Sequence, residues 1–320
     1  MEGACSWYHI LFFHLSLTFA RVALAKFNFS VVNYMFRLRS LDRVKYTLRR
    51  LQCKMFDKLL LPLDPSKRLK PAQDYAIALA KRLEIPLFAV FVSNPSKTGT
   101  ITASGETRRG IEVLGERQLN QFVEDVSDVK IKPILKTGKR RKVLAKLVDE
   151  GVADTLILGP FRSMLSRLFT GSEVERILDS ESSHAFIVRE DHPLPGSGSP
   201  ALVVFDGLSL SKDALKRIED FSLKFKCDVE LLHIGTEIFG GAEAIDKAVE
   251  ILREQLGPDV IVTSKIVPFS FFKTRKSITN SVINSTGARI VILPDIEDAV
   301  SDNLIHQLVL SASVPVCVLR

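Results

Sequence analysis

From Lys58 onward the chain alternates short, almost wholly apolar runs with amphipathic segments. No other feature restricts the possible folds as much. The first apolar runs are Leu59–Leu63, Leu87–Val92, Ile131–Leu135, Thr155–Leu158 and Ala185–Val188. Each is too short for a buried helix and lacks the polar alternation of a half-wet strand. Each therefore reads as a parallel strand covered on both faces. Between them lie helical periods at about Lys70–Leu83, Glu106–Val126, Arg140–Glu150 and Ser172–Ser180. In the first, Tyr75, Ala76, Leu79, Ala80 and Leu83 fall on one face; in the third, Val143, Leu144, Leu147 and Val148 do so. Alternating βα units of this kind predict an α/β fold with a doubly wound parallel sheet and right-handed crossovers.

After a Pro/Gly/Ser-rich stretch, EDHPLPGSGSP (Glu190–Pro200), the order restarts. ALVVFD (Ala201–Asp206) echoes LLLPLD (Leu59–Asp64), and DVELLHI (Asp228–Ile234) echoes PLFAVFV (Pro86–Val92). ARIVILP (Ala288–Pro294) echoes ADTLILG (Ala153–Gly159), and the terminal VPVCVLR echoes HAFIVR (His184–Arg189). The offset drifts from 142 to 135 to 131 residues, as a duplication with small deletions requires. Two tandem domains are expected, 55–190 and 201–320, joined by a linker over 191–200.

Residues 1–54 have a different character. Nine of the 44 Lys and Arg fall there against two of the 37 acidic residues, Glu2 and Asp42. The formal net charge of +7 therefore resides in that stretch, and the rest of the chain is balanced. This argues against nucleic acid as a partner of the globular part. Ile10–Leu24 is apolar, but His14 and Arg21 interrupt it, it is short for a membrane span, and no Lys or Arg precedes it. The preferred expectation is an N-terminal extension outside the native fold, with the domain beginning at Met55. A membrane anchor or signal and a helical appendage are the alternatives. Cys5, Cys53, Cys227 and Cys317 form no C-x-x-C pair, which suits a reducing, cytoplasmic setting.

TLILGPFRSMLSRLFTGS (Thr155–Ser172) combines a strand, a loop with glycines at both ends, and the start of the helical pattern EVERIL. The first amides of a helix have no intrahelical partner, and its dipole favours negative charge there. Gly171 would admit a phosphate to the backbone, and Ser172 would cap the helix or bond the ligand. A capping box between Ser172 and Glu175 explains the same residues without a ligand. Both readings stand on this window alone.

With strands, repeat and loop in place, residues 58–189 resemble a universal stress protein domain, and 200–320 a second, more divergent copy. The resemblance rests on Pro62-x-Asp64 closing the first strand and on LLHI (Leu231–Ile234) in the second half. The segment Lys136–Gly159 and the glycine loop also carry it. It implies a Rossmann-like fold of the adenine nucleotide alpha hydrolase type. ATP would lie across the carboxyl ends of the strands, bound by a loop of the form G-x2-G-x9-G-[ST]. Asp64, the backbone of Val92, Gly159, Gly171 and Ser172 become candidate nucleotide contacts, with Mg²⁺ only alongside the nucleotide. Arg162 stands where the second glycine should be, and eight residues rather than nine precede Gly171. Glu173 adds a carboxylate near the expected phosphates. A weak or altered ATP site is the consequence.

The corresponding loop of the second half, LPDIEDAVSDNLIHQL, is shorter, lacks glycine and carries Asp295, Glu297, Asp298 and Asp302. Although Asp206 matches Asp64, four carboxylates repel a triphosphate, so this half is expected to be a non-binding pseudo-site. In the first half the loops carry Lys67, Arg68, Lys70, Lys139, Arg140, Arg141, Lys142, Arg162 and Arg167. Cations in a first helical turn oppose the dipole, so the run Lys139–Lys142 is a local conflict of the kind found at functional sites. Lys139, Arg140, Arg141, Lys142 and Arg167 are expected to form an anion rim that replaces phosphate affinity lost from the loop; a solvated helix start is the plainer account.

No G-x-x-x-x-G-K-[ST] or H-E-x-x-H is present, and the six histidines have no metal-ligand spacing. His184 and His233 fall in or beside strands and read as core or edge residues. PFSFF (Pro268–Phe272) reads as a plug over the second cleft or, if exposed, a partner site. No catalytic or metal residue is expected. The pattern predicts a non-enzymatic regulatory protein that binds adenine nucleotide. Its halves would pack as a pseudo-dimer through Ala185–Val188 and Val314–Leu319, with homo-oligomers also open. A nucleotide-free interaction module and a slow ATP-hydrolysing enzyme using Asp64 are the rivals.

Overall fold

The computed structural model describes residues 55–64, 69–93, 105–159, 183–207, 209–235, 241–268, 275–294 and 300–320. The chain divides into two compact units, Met1–Leu51 and Gln52–Arg320, and all the described residues lie in the second. Its strands are β1 (Leu59–Leu63), β2 (Leu87–Ser93), β3 (Ile131–Thr137), β4 (Thr155–Leu158), β5 (His184–Ile187), β6 (Ala201–Phe205), β7 (Val229–Gly235), β8 (Val262–Pro268), β9 (Ile290–Pro294) and β10 (Val316–Leu319). The helices are α1 (Lys70–Leu83), α2 (Gly105–Glu124), α3 (Arg140–Asp149), α4 (Lys212–Phe225), α5 (Gly241–Leu256), α6 (Arg275–Thr286) and α7 (Asp302–Ser311).

All ten strands form one sheet in the order β3-β2-β1-β4-β5-β10-β9-β6-β7-β8. Every pair is parallel except β5 with β10, where Ala185, Phe186 and Ile187 face Val318, Cys317 and Val316 antiparallel. Each half thus contributes five strands in the same internal order, and the halves meet at their last strands. Right-handed crossovers place α1 and α2 on one face of the first half and α3 on the other. The apolar runs explain the central strands: β1, β4, β6, β9 and β10 are buried at every position. The outer strands β3 and β8 are largely wet. Their polar positions would be costly in the centre and are tolerated at an edge.

An aromatic cluster holds the halves together. Phe56, which precedes β1, lies 5.2 Å from Phe186 on β5. It is 5.8 Å and 5.9 Å from Phe221 and Phe225 on α4, ring to ring. All four rings are fully buried. Arg82, in the last turn of α1, donates from Nη2 to the Phe225 carbonyl at 2.6 Å and from Nη1 to the Pro195 carbonyl. Its guanidinium also lies 5.5 Å from the Phe225 ring centre. One cation of the first half therefore satisfies carbonyls of both the linker and the second half. Cys227 and Cys317 are free and buried. Burial pushes the Cys227 thiol up to about 12, so it packs as an apolar group and is not a nucleophile at neutral pH.

Candidate functional site

In an open α/β sheet, ligands collect where neighbouring crossovers run in opposite directions, outside the carboxyl ends of the strands. Here that point lies at β1, which pairs with β2 along its full length but with β4 only at Leu59 and Leu60. Pro62 explains the parting. It has no N–H to give a neighbouring strand, so the β4 side of β1 is released beyond the second pair. In the second half Val204 replaces Pro62, and β6 follows β9 one residue further, through Val203. The first cleft therefore opens one residue earlier than the second.

Asp64 follows directly at the end of β1, and Arg140, the first residue of α3, reaches it. Arg140 Nη1 lies 3.4 Å from Asp64 Oδ2, with side chains 24% and 18% exposed respectively. Arg140 Nη2 also donates to the Leu63 carbonyl at 3.3 Å. Within the run Lys139–Lys142, Lys139 and Lys142 are exposed, while Arg140 and Arg141 are half-buried. The structure brings one of the expected rim cations, Arg140, onto the candidate carboxylate. The helix it opens has neither a side-chain cap nor an acidic residue in its first turn.

Val92 lies one residue before the end of β2 and is half-buried. Its neighbour Ser93 is fully buried, and among the described residues the Ser93 hydroxyl has no hydrogen-bond partner. The Ser93 carbonyl accepts from the Gly138 amide at 2.8 Å, joining the ends of β2 and β3. Gly138 sits at φ 147°, a conformation side chains resist, which explains a glycine before the basic run. Neither Ser93 nor Gly138 was legible as a site residue. A terminal serine in an apolar strand was the available signal.

Gly159 ends β4 with a packing role of its own. A Cβ there would stand 2.6 Å from Leu69 Cδ2 and 3.0 Å from Ala72 Cβ, so β4 meets the first turn of α1 only through a glycine. Arg162, Arg167, Gly171 and Ser172 lie outside the described residues, as do Lys67, Arg68, Glu173 and Phe269–Phe272. The expected second-half carboxylates Asp295, Glu297 and Asp298 lie outside them too.

The second half treats its matching carboxylate differently. Asp206 Oδ1 accepts from the Ser301 amide at 2.7 Å, and Oδ2 from the Ser301 hydroxyl at 2.6 Å. Ser301 is the N-cap of α7, and its hydroxyl accepts from the Leu304 amide. A carboxylate of the chain itself thus occupies the start of that helix, where the dipole favours an anion. His233, at the position of Phe91 in the repeat, is buried and shares a hydrogen bond between Nε2 and the Gly207 carbonyl at 3.1 Å. His184 is mostly buried, and its Nδ1 accepts from the Arg320 amide at 3.2 Å. Burial, aided by Arg217, pulls its pKa down to about 4, so the ring is neutral at pH 7.

Among the described residues no group of His, Cys, Asp and Glu is placed to hold a metal ion, and no helix is long and apolar enough to cross a membrane. The first cleft offers a half-buried guanidinium beside a carboxylate, a pair that suits a polar ligand. Among the described residues, no nucleophile with an adjacent base accompanies them.

Residues 55–189 match the model of the Universal stress protein family. That stretch belongs to the universal stress protein family. A curated universal stress protein of Methanocaldococcus jannaschii is 22% identical over 143 residues, covering 42% of this chain and 84% of the relative. The fold likeness extends further. The crystal structure of a universal stress protein from Archaeoglobus fulgidus superposes at TM-score 0.61 with 16% identity, covering 82% of this chain and 96% of that one. A second solved structure, from Pseudomonas aeruginosa, does so at TM-score 0.51 and 11% identity over 82% and 93% of the two chains. At these identities the likeness concerns the fold alone, an α/β architecture with a mostly parallel sheet shared with universal stress proteins.

Proposed function

We propose that residues 55–190 form a weak or altered adenine-nucleotide site, with ATP as the favoured ligand, and that 201–320 is a closed pseudo-site. The observation that carries this reading is the half-buried Arg140–Asp64 pair, set where Pro62 parts β1 from β4. Asp64 and the Val92 backbone would meet the nucleoside, and Gly159, Gly171 and Ser172 the phosphates, with Arg162 narrowing the loop. Lys139, Arg140, Arg141, Lys142 and Arg167 would supply the anion rim, and Mg²⁺ would enter only with the nucleotide. The bidentate hold of Ser301 on Asp206 supports the pseudo-site. Pairing of β5 with β10 supports an intramolecular pseudo-dimer, with homo-oligomerisation left to its outer surfaces. The protein is read as regulatory and cytoplasmic, with residues 1–54 outside the working fold, 191–200 as linker, and no nucleic-acid partner.

Calorimetric titration of the full chain with ATP, ADP and AMP, with and without Mg²⁺, tests the reading. Binding at one site, weakened when Lys139–Lys142 are changed to Gln and less sensitive to salt thereafter, is the expected result. No heat with any nucleotide favours the interaction module, which Arg162 and the loop one residue short also suit. Turnover beyond one equivalent, lost in Asp64→Ala, establishes the slow ATPase instead.

A further inference from the structure

The first turns of α4 and α5 leave room between them. Ala244, Ala248 and Ile251 recur at the spacing of one face of α5 and line a cavity of about 400 Å³. Leu215, in the first turn of α4, and Leu210, just before that helix, complete its apolar wall. Two alanines one turn apart supply little side chain, so the space between the helices stays open. Leu210, Leu215 and Ala248 are buried, while Ala244 and Ile251 are half-buried. The volume falls within the roughly 300–1,000 Å³ of small-molecule sites.

The rim differs from the wall. Lys212, Glu243 and Lys247 border the same cavity and are exposed. Glu243 precedes Lys247 by four residues, the order that favours pairing on a helix. Among the described residues, even so, neither Lys247 nor Lys212 makes a hydrogen bond or an ion pair. Two ammonium groups and one carboxylate thus stand uncommitted over an apolar recess. An apolar wall favours a hydrocarbon or aromatic body. Two cations against one anion favour a single negative charge, and Glu243 opposes a polyphosphate.

We propose that this cavity binds a small amphipathic carboxylate. Its apolar body would lie against Ala244, Ala248 and Leu215, and its carboxylate would meet Lys212 and Lys247. The site lies wholly within the second half and is independent of the nucleotide reading of the first.

The test titrates decanoate, and decanol as its uncharged counterpart, into the full chain by calorimetry at concentrations where neither aggregates. Decanoate should bind at one site, more tightly than decanol, and more weakly as salt rises. Lys212→Gln and Lys247→Gln should each weaken decanoate about 2- to 5-fold and leave decanol unchanged. Ala244→Leu and Ala248→Leu fill the recess, so both should remove decanoate binding with Tm unchanged or raised. Excess ATP should not displace decanoate. Absence of decanoate binding by the wild-type chain overturns the proposal. So does binding that survives both leucine substitutions, equal affinity for decanoate and decanol, or displacement by ATP. Should a leucine variant lose its fold, the two lysine variants decide alone, because loss of decanoate affinity with decanol unchanged is not a structural effect.

Discussion

Replacing Phe56 by Ala asks whether the two halves unfold as one body. The ring is fully buried and lies 5.1 Å from the His184 ring, 5.2 Å from Phe186, 5.8 Å from Phe221 and 5.9 Å from Phe225. Two of these neighbours belong to the first half and two to the second. Phe56 also has φ 58°, a left-handed conformation that costs a non-glycine residue about 1–2 kcal/mol. Alanine keeps its Cβ and hence that strain, so the substitution isolates the ring. Truncating a buried Phe costs about 3–5 kcal/mol, the upper part of the range applying where the walls cannot collapse. Here the walls are other aromatic rings fixed on a strand and a helix, so the upper part of that range applies. A loss of about 4–5 kcal/mol is expected, which for a unit of this size lowers Tm by roughly 8–20 °C. Differential scanning calorimetry of the full chain, with urea unfolding followed by circular dichroism, measures both quantities. A single transition shifted downward supports the reasoning. A loss under about 1.5 kcal/mol, or a transition in which one half melts and the other does not, refutes it.

Three further outcomes follow from the same geometry. Asp206→Ala removes both contacts to Ser301 and should cost about 1.5–3 kcal/mol in urea unfolding, with Asp206→Asn recovering part of it; equal stability of all three forms contradicts the cap. Gly159→Ala brings a methyl to 2.6 Å from Leu69 Cδ2, so stability should fall by about 1–3 kcal/mol whether or not nucleotide is present; a loss seen only as weaker ligand binding would assign the glycine to the ligand. His184 has its pKa drawn from 6.5 down to about 4 by burial and Arg217, so between those values the unfolded chain binds the extra proton. Its contribution is therefore complete above pH 6.5 and fades as pH falls toward 4, by about 3 kcal/mol in all, and a stability profile of His184→Gln with the same slope as wild type dismisses the assignment.

Strands and helices were largely legible because their signals are local. Leu59–Leu63, Lys70–Leu83 and Thr155–Leu158 fall where apolar period and length put them, and most other elements differ by one or two residues at an end. β2 and β3 run on to Ser93 and Thr137 because their mutual pairing continues past the apolar run. What the sequence hid is long-range. Phe56 reads as a residue of a domain start, yet it packs against rings separated from it by the whole first half. Arg82 reads as the basic last turn of α1, yet it serves carbonyls of the linker and α4. The run Lys139–Lys142 reads as four equivalent cations. Only the helical phase of α3 separates Arg140, which turns toward Asp64, from the exposed Lys139 and Lys142. Gly159 was expected as a nucleotide contact, and the described contacts give it a reason in the packing of α1.

The divergence of the two halves can be traced to what neutralises one carboxylate. A negative charge left at the end of a central strand, inside a crevice, needs a partner. Where the partner is the cap of the next helix, the charge is satisfied by the amide and hydroxyl of the cap residue itself. Where the partner is a guanidinium, it comes from the first residue of the helix rather than from its cap. Pro62 reinforces the difference by ending the β1–β4 pairing early, while Val204 in its place lets β6 and β9 stay together one residue longer.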